Sequence, residues 1–143
     1  MPAPQLDILA IGNALVDVIA QADDAFIERE GIPKGSMRLI DAGEAAGLYE
    51  RMAPGIEASG GSAANTVAGI AALGGRAGFI GQVAQDQLGE VFAHDIRSLG
   101  VAFDTPALAD GAPTGRCLIL VTPDAQRTMN TALGVSQYLP ASA

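Results

Sequence analysis

The residues of this chain best suited to chemistry are Asn13 and Asp17, near the start, and the turn Gly60-Gly61-Ser62-Ala63-Ala64-Asn65. An ionised aspartate only accepts hydrogen bonds, and it can take them from two adjacent hydroxyls at once. That suits a sugar diol and suits a phosphate poorly. Gly60 and Gly61 lack a Cβ, so backbone amides there can lie directly against a ligand, and a helix starting after them presents unpaired N–H donors. Asn65 adds an amide that both donates and accepts. Taken alone, each feature has a plainer reading: tight packing for the Gly-Gly turn, support of a turn for Asn13, a solvated strand position for Asp17.

These residues need elements to hold them. The apolar run Leu6–Ile11 reads as a buried strand leading into a second at Leu15–Ala20. Asn13 and Asp17 then lie just past the C-terminal end of the first strand, where open parallel sheets bind ligands. Asp23 and Asp24 can cap a short helix carrying Phe26 and Ile27, and Gly31-Ile32-Pro33-Lys34-Gly35 turns the chain into a strand over Ser36–Asp41. Ala45, Leu48, Tyr49 and Met52 follow helical spacing up to Pro54-Gly55, and a strand is expected over Ile56–Ser59. Ala63–Leu73 is rich in helix formers and ends at Gly74-Gly75. Arg76–Val83 reads as a strand, Gln87–Leu99 as an amphipathic helix with Leu88, Val91, Phe92, Ile96 and Leu99 on one face, and Val101–Asp104 as another strand. Helices separating the strands near positions 57, 80 and 102 predict a mostly parallel α/β sheet. Thr105–Thr131 breaks this rhythm and reads as a β-rich excursion around the run Leu118–Val121.

Composition removes several classes of function. Eight basic against sixteen acidic residues give a formal charge of -8, a surface that repels nucleic acid and anionic membranes. The stretches Ile8–Val16 and Ala63–Leu73 are too short or too broken to span a bilayer, and no basic signal region precedes them, so a cytoplasmic location is expected. A single cysteine, Cys117, precludes an internal disulfide and a multi-cysteine zinc site; with His94 as the one histidine, histidine-based triads have little support. Cys117 reads as a small buried strand residue and His94 as an exposed helix position. Neither G-x-G nor G-x-x-x-x-G-K-[ST] occurs, so dinucleotide-fold and P-loop readings lose their main support.

Four segments in order, Ile11-Gly12-Asn13-Ala14-Leu15-Val16-Asp17, Gly60-Gly61-Ser62-Ala63-Ala64-Asn65, Phe79-Ile80-Gly81 through Asp86 and Gly89, and Pro113-Thr114-Gly115, resemble the N-terminal half of the PfkB, or ribokinase-like, family. Ser62, where ribokinase itself carries a lysine, and Pro113-Thr114-Gly115 make the chain most similar to the adenosine kinase branch. Val67 and Ala84 depart from the small residue and the glycine usual in the family's first signature. The resemblance implies a three-layer α/β/α fold with a mostly parallel central sheet and a small β-rich lid, formed around 18–41 and 105–121, which covers the substrate and can build a homodimer.

It further implies an ATP-dependent kinase acting on a hydroxyl of a sugar or nucleoside, with Asn13, Asp17, Gly60, Gly61 and Asn65 holding the hydroxyls. By the same resemblance Arg127 can reach the phosphate side and Leu133 forms an apolar wall of a nucleoside pocket. From the residues alone, Arg127 could equally be a surface partner of Asp124 and Leu133 ordinary core. The family's Gly-Ala-Gly-Asp, whose aspartate is the catalytic base, does not occur in these 143 residues. The chain is thus expected to be the substrate-binding half of a truncated domain, without a metal site or catalytic residue of its own. ATP and Mg2+ would be bound only in a complete enzyme, and the segment alone is expected to be inactive. Ribose, fructose or ketodeoxygluconate kinases, or a non-catalytic sugar-binding or dimerisation module, are the alternatives.

Overall fold

The computed structural model describes residues 5–143. It is a mixed α/β chain built on two sheets. Strand β1 (Ile8–Ile11) pairs in parallel with β5 (Ala77–Ile80), and Ala102 extends this sheet by a single parallel bridge to Gly78. The larger sheet has the order β3-β7-β6-β2-β4, formed by β2 (Leu15–Gln21), β3 (Met37–Leu39), β4 (Ile56–Gly60), β6 (Gly115–Val121) and β7 (Arg127–Ala132). Within it β2–β6 and β3–β7 are parallel, whereas β2–β4 and β6–β7 are antiparallel. A short 3-10 turn over Gly134–Gln137 follows β7.

Each helix begins where its first residues dictate. Asp23 caps α1 (Asp24–Arg29) through Phe26 N–H, Asp41 caps α2 (Ala42–Arg51) through Glu44 N–H, and Asp86 caps α4 (Gln87–Ser98) through Gly89 N–H. Helix α3 (Ser62–Ala72) differs: its N-cap is Gly61, and no side chain caps it. It packs on β1 and β5, while α4 lies against β4 and β2. Phe79 from β5, Phe92 from α4 and Phe103 form an aromatic trio with ring centroids 5.3–6.1 Å apart, joining the two sheets in one core.

Two expectations are corrected here. The strand near position 57 does not join those near 80 and 102; β4 runs antiparallel to β2 at the edge of the larger sheet. Helix α3 returns the chain to β1 and β5, so β4 is left behind on the other sheet. The β-rich excursion over Thr105–Thr131 resolves into β6 and β7, of which β7 runs on to Ala132. Its Thr128, Asn130 and Ala132 are buried although two of them are polar. Asn130 is satisfied there, with its amide donating to the Leu118 carbonyl and its oxygen accepting from Arg38 Nε. The expected Val101–Asp104 strand narrows to the one bridged residue, Ala102.

The larger sheet has two unlike faces. Val16, Val18, Ala20, Leu118 and Leu120 point into the core, each 3% exposed or less. Alternation places Leu15, Asp17, Ile19, Cys117 and Ile119 on the opposite face. That face carries exposed Ile19, Met37, Leu39 and Ile56. Asp17 is the acidic residue in β2, and it stands on the uncovered side.

Candidate acceptor-binding site

Asp17 is placed by its neighbours in the sheet. Its register partners are Ala58 on β4 and Cys117 on β6; Cys117 pairs in turn with Thr131 on β7, and Thr131 with Leu39 on β3. Register partners share a face, so Ala58, Asp17, Cys117, Thr131 and Leu39 form one row across the sheet. The adjacent row runs Gly60, Leu15, Gly115. Gly115 fits closely between two leucines, because a Cβ there would lie 2.6 Å from Leu15 Cδ2 and 2.5 Å from the Leu133 carbonyl oxygen. The two rows form a shelf with Asp17 as its charge and leucines beside it.

The glycines divide their work in a way the sequence did not reveal. A Cβ on Gly60 would lie 2.5 Å from Cγ and from both carboxylate oxygens of Asp17, so the carboxylate occupies the space that this glycine leaves. Gly61 has φ +101°, ψ 140°, and a Cβ there would lie 2.5 Å from the Asn13 backbone oxygen. The two glycines of the turn therefore differ in what their missing side chains leave room for. Gly61 is needed for the backbone to turn against the Asn13 carbonyl, and Gly60 is the glycine that opens the site.

The β1–β2 loop is held against the helix start by a further close approach. A Cβ on Gly12 would lie 2.7 Å from Ala63 Cβ. Asn13, Asp17, Gly60, Gly61 and the first turn of α3, which contains Asn65, are therefore brought together. Asn13 and Asn65 are exposed there, and the first-turn amides of α3 have no side-chain cap. Leu133 follows β7 with its carbonyl beside Gly115, and it borders an open cavity of about 360 Å³ shared with Leu39, Thr131 and Tyr138. Arg127 is not part of this cluster: it begins β7, four residues and about 13 Å along the strand from Thr131. Nor does Asp124 reach Arg127, since its carboxylate pairs with Lys34 Nζ at 2.7 Å.

The electrostatics of the shelf follow from burial. Asp17 is half-buried, and desolvation alone raises its carboxyl above the usual aspartate value, no donor among the described residues offsetting it. A partly buried acceptor without a donor is suited to hydroxyls brought by a ligand. Burial likewise raises the Cys117 thiol; the hydrogen bond donated by Thr131 Oγ1 at 3.3 Å opposes the shift, and the nearby Asp17 charge adds to it. Cys117 is 6% exposed. Neutral alkylating reagents should therefore leave it unmodified in the folded chain and label it once denaturant is added, as mass spectrometry would read; rapid native labelling would contradict this burial. Cys117 and Thr131 were not expected in the site, because nothing in their local sequence states which strand lies beside Asp17.

The described residues contain no cluster of three or more His, Cys, Asp or Glu able to hold a metal. Among them, too, no helix is long and apolar enough to cross a membrane. The cluster offers one half-buried carboxylate acceptor, flanking amides and apolar neighbours.

Known proteins resemble this chain in sequence and in fold. The profile of pfkB family carbohydrate kinases matches residues 55–142. Among curated proteins, probable fructokinase-4 of Arabidopsis thaliana is 36% identical over 76 residues, covering 52% of this chain and 23% of the plant protein. The crystal structure of adenosine kinase from Sinorhizobium meliloti superposes with TM-score 0.84 at 57% identity, over 93% of this chain and 41% of that one. A probable sugar kinase protein from Rhizobium etli CFN 42 gives TM-score 0.86 at 50% identity, over 94% and 41% of the two chains. The chain thus spans about two-fifths of the length of these solved structures. With the family profile covering more than half of its residues, and the carboxylate, glycine turn and helix start assembled on one shelf, this chain belongs to the pfkB family of carbohydrate kinases.

Proposed function

We propose that this chain holds the acceptor in a kinase that moves the terminal phosphoryl group of ATP onto a hydroxyl of a nucleoside or sugar, with adenosine ahead of fructose or ribose. The observation that carries the reading is the Asp17 carboxylate, half-buried without a donor and seated on Gly60 beside the uncapped start of α3. Asp17 accepts from two adjacent hydroxyls, and Asn13 and Asn65 supply further amide contacts. Leu15, Leu133 and Leu39 offer the apolar wall that a purine base fills more fully than a small sugar does. Adenosine is favoured by the likeness to a solved adenosine kinase at 57% identity; the plant fructokinase, at 36%, keeps fructose as the second reading.

Magnesium-bound ATP supplies the phosphoryl group when it is present. The residues here bind and orient the acceptor: Asp17 fixes the diol, the shelf fixes the ring, and the remaining hydroxyl is left facing outward for in-line attack. Asp17 is occupied by the diol, so the base for the transfer is assigned elsewhere. The chain assayed by itself with ATP and magnesium is expected to bind acceptor without releasing ADP.

Calorimetric titration with adenosine, 2′-deoxyadenosine, ribose and fructose tests this. A site built for a diol should bind adenosine at least about tenfold more tightly than 2′-deoxyadenosine, because one hydrogen bond to a charged group is then lost. Equal affinities, or no binding of any of the four, would remove Asp17 from the role. The exposed Ile19, Met37, Leu39 and Ile56 support a second reading, in which another copy of the chain covers this face. Sedimentation at increasing concentration would separate the two: a monomer throughout leaves the face to ligand.

A further inference from the structure

Asp86 caps α4, and a cap needs only one of its oxygens. Its carboxylate does more. Oδ1 accepts from Gly89 N–H at 2.8 Å and from the Thr114 hydroxyl at 2.6 Å, while Oδ2 accepts from Thr114 N–H at 2.9 Å. The Thr114 hydroxyl then accepts from Ala84 N–H at 2.9 Å. Thr114 is 2% exposed, and no side chain would fit at Gly89, where a Cβ would fall on the Ala84 carbonyl and 3.1 Å from Thr114 Oγ1. Three donors, from Gly89 and from the backbone and side chain of Thr114, thus meet at one partly buried carboxylate, and Ala84 N–H ties the Thr114 hydroxyl in turn.

The place of this knot matters more than its strength. Thr114 immediately precedes β6, whose Gly115 pairs with Leu15 and whose Cys117 pairs with Asp17. One turn from its other end, α4 makes a second tie, Asp95 Oδ2 accepting from Ser59 N–H at 2.7 Å, one residue before Gly60 on β4. Helix α4 therefore grips both strands that flank β2, with Asp86 at the base of β6 and Asp95 on β4. Asp17 lies between them.

We propose that Asp86 and Thr114 are a positioning pair that fixes the start of β6, and through it the Asp17 shelf, against the helix start at Gly61, a role beyond capping α4. This rests on the reading of Asp17 as the acceptor ligand. Burial acts to raise the Asp86 carboxyl, but bonds from Thr114 and Gly89 outweigh it and hold the group below the usual aspartate value, so the pair stays charge-assisted at neutral pH.

Serine separates the two roles of Asp86, because it caps a helix as aspartate does but is too short to span to Thr114. In the purified protein, Asp86→Ser should keep the helical circular-dichroism signal of the parent. Amide hydrogen exchange at Gly115–Leu118 should nevertheless quicken at least tenfold, and acceptor affinity should fall about tenfold. Thr114→Val should do the same, and Thr114→Ser, which keeps the hydroxyl, should restore parental exchange. If Asp86→Ser and Thr114→Val both exchange at the parental rate, Asp86 is only a cap and the proposal is wrong. Should Thr114→Val not fold, the comparison of Asp86→Ser with Thr114→Ser decides in the same way. The exchange measurement needs no ligand, so failure of every sugar or nucleoside to bind would count against the proposed function while the positioning role was still being judged.

Discussion

Asp17→Asn is expected to weaken acceptor binding about 10- to 100-fold, from the loss of hydrogen bonds to a charged group worth roughly 1.5–3 kcal/mol, and at the same time to make the empty protein no less stable. The two effects share one cause. Burial disfavours the charged form, so the folded pKa lies above the ordinary value of 3.8. For a raised pKa, the stabilising contribution of the protonated form is complete below the unfolded value and is lost as pH rises through the folded value. At neutral pH the native protein thus carries the cost of a half-buried charge, and asparagine removes it. Thermal melts of the two proteins should show the variant equal or higher at pH 7, with the difference closing below about pH 3.8. Ligand affinity of the native protein should fall as pH drops through the raised pKa, because protonated Asp17 accepts less well. A variant that binds within about threefold of the parent would show that the carboxylate does not touch the acceptor. A clear drop in melting temperature at pH 7 would instead give it a structural duty.

Substitutions at adjacent glycines should fail for opposite reasons. Gly61→Ala puts a side chain on a residue at φ +101°, ψ 140°, and on a collision course with the Asn13 carbonyl. Backbone strain of this kind costs about 1–3 kcal/mol before the clash is counted. The chain should lose stability, and with it the joint between the β1–β2 loop and α3. Gly60→Ala meets no such backbone penalty, because Gly60 lies in the extended strand β4. Its Cβ would instead displace the Asp17 carboxylate, whose three atoms all lie 2.5 Å from that position. It should bind acceptor as poorly as Asp17→Asn does while melting closer to the parent than Gly61→Ala. Paired melts and titrations decide the matter. Equal loss of stability in both variants, or normal binding by Gly60→Ala, would mean that the two glycines do not divide the work as the contacts indicate.

Much of the local structure follows from residues next to one another in the chain. Asp23 and Asp86 precede helices because a side-chain oxygen can bond the free amides of the first turn, and Phe92 and Ile96 mark the buried face of α4 by helical spacing. The candidate ligands Asn13, Asp17 and Asn65 are likewise readable, since side-chain type and a place beside a glycine turn are properties of short segments. What the chain could not state is which strand lies beside which. Backbone hydrogen bonds are the same for any partner, so the antiparallel pairing of β4 with β2, and the row Ala58, Asp17, Cys117, Thr131, Leu39, were set only when α3 and α4 packed and the core closed. Strand β7 is not marked by its own residues, because Thr128 and Asn130 look like loop residues until Leu118 and Arg38, distant in sequence, satisfy the asparagine. The separate duties of Gly60 and Gly61 were hidden for the same reason: both lack a side chain, and only the tertiary structure determines that one faces the Asp17 carboxylate and the other the Asn13 carbonyl.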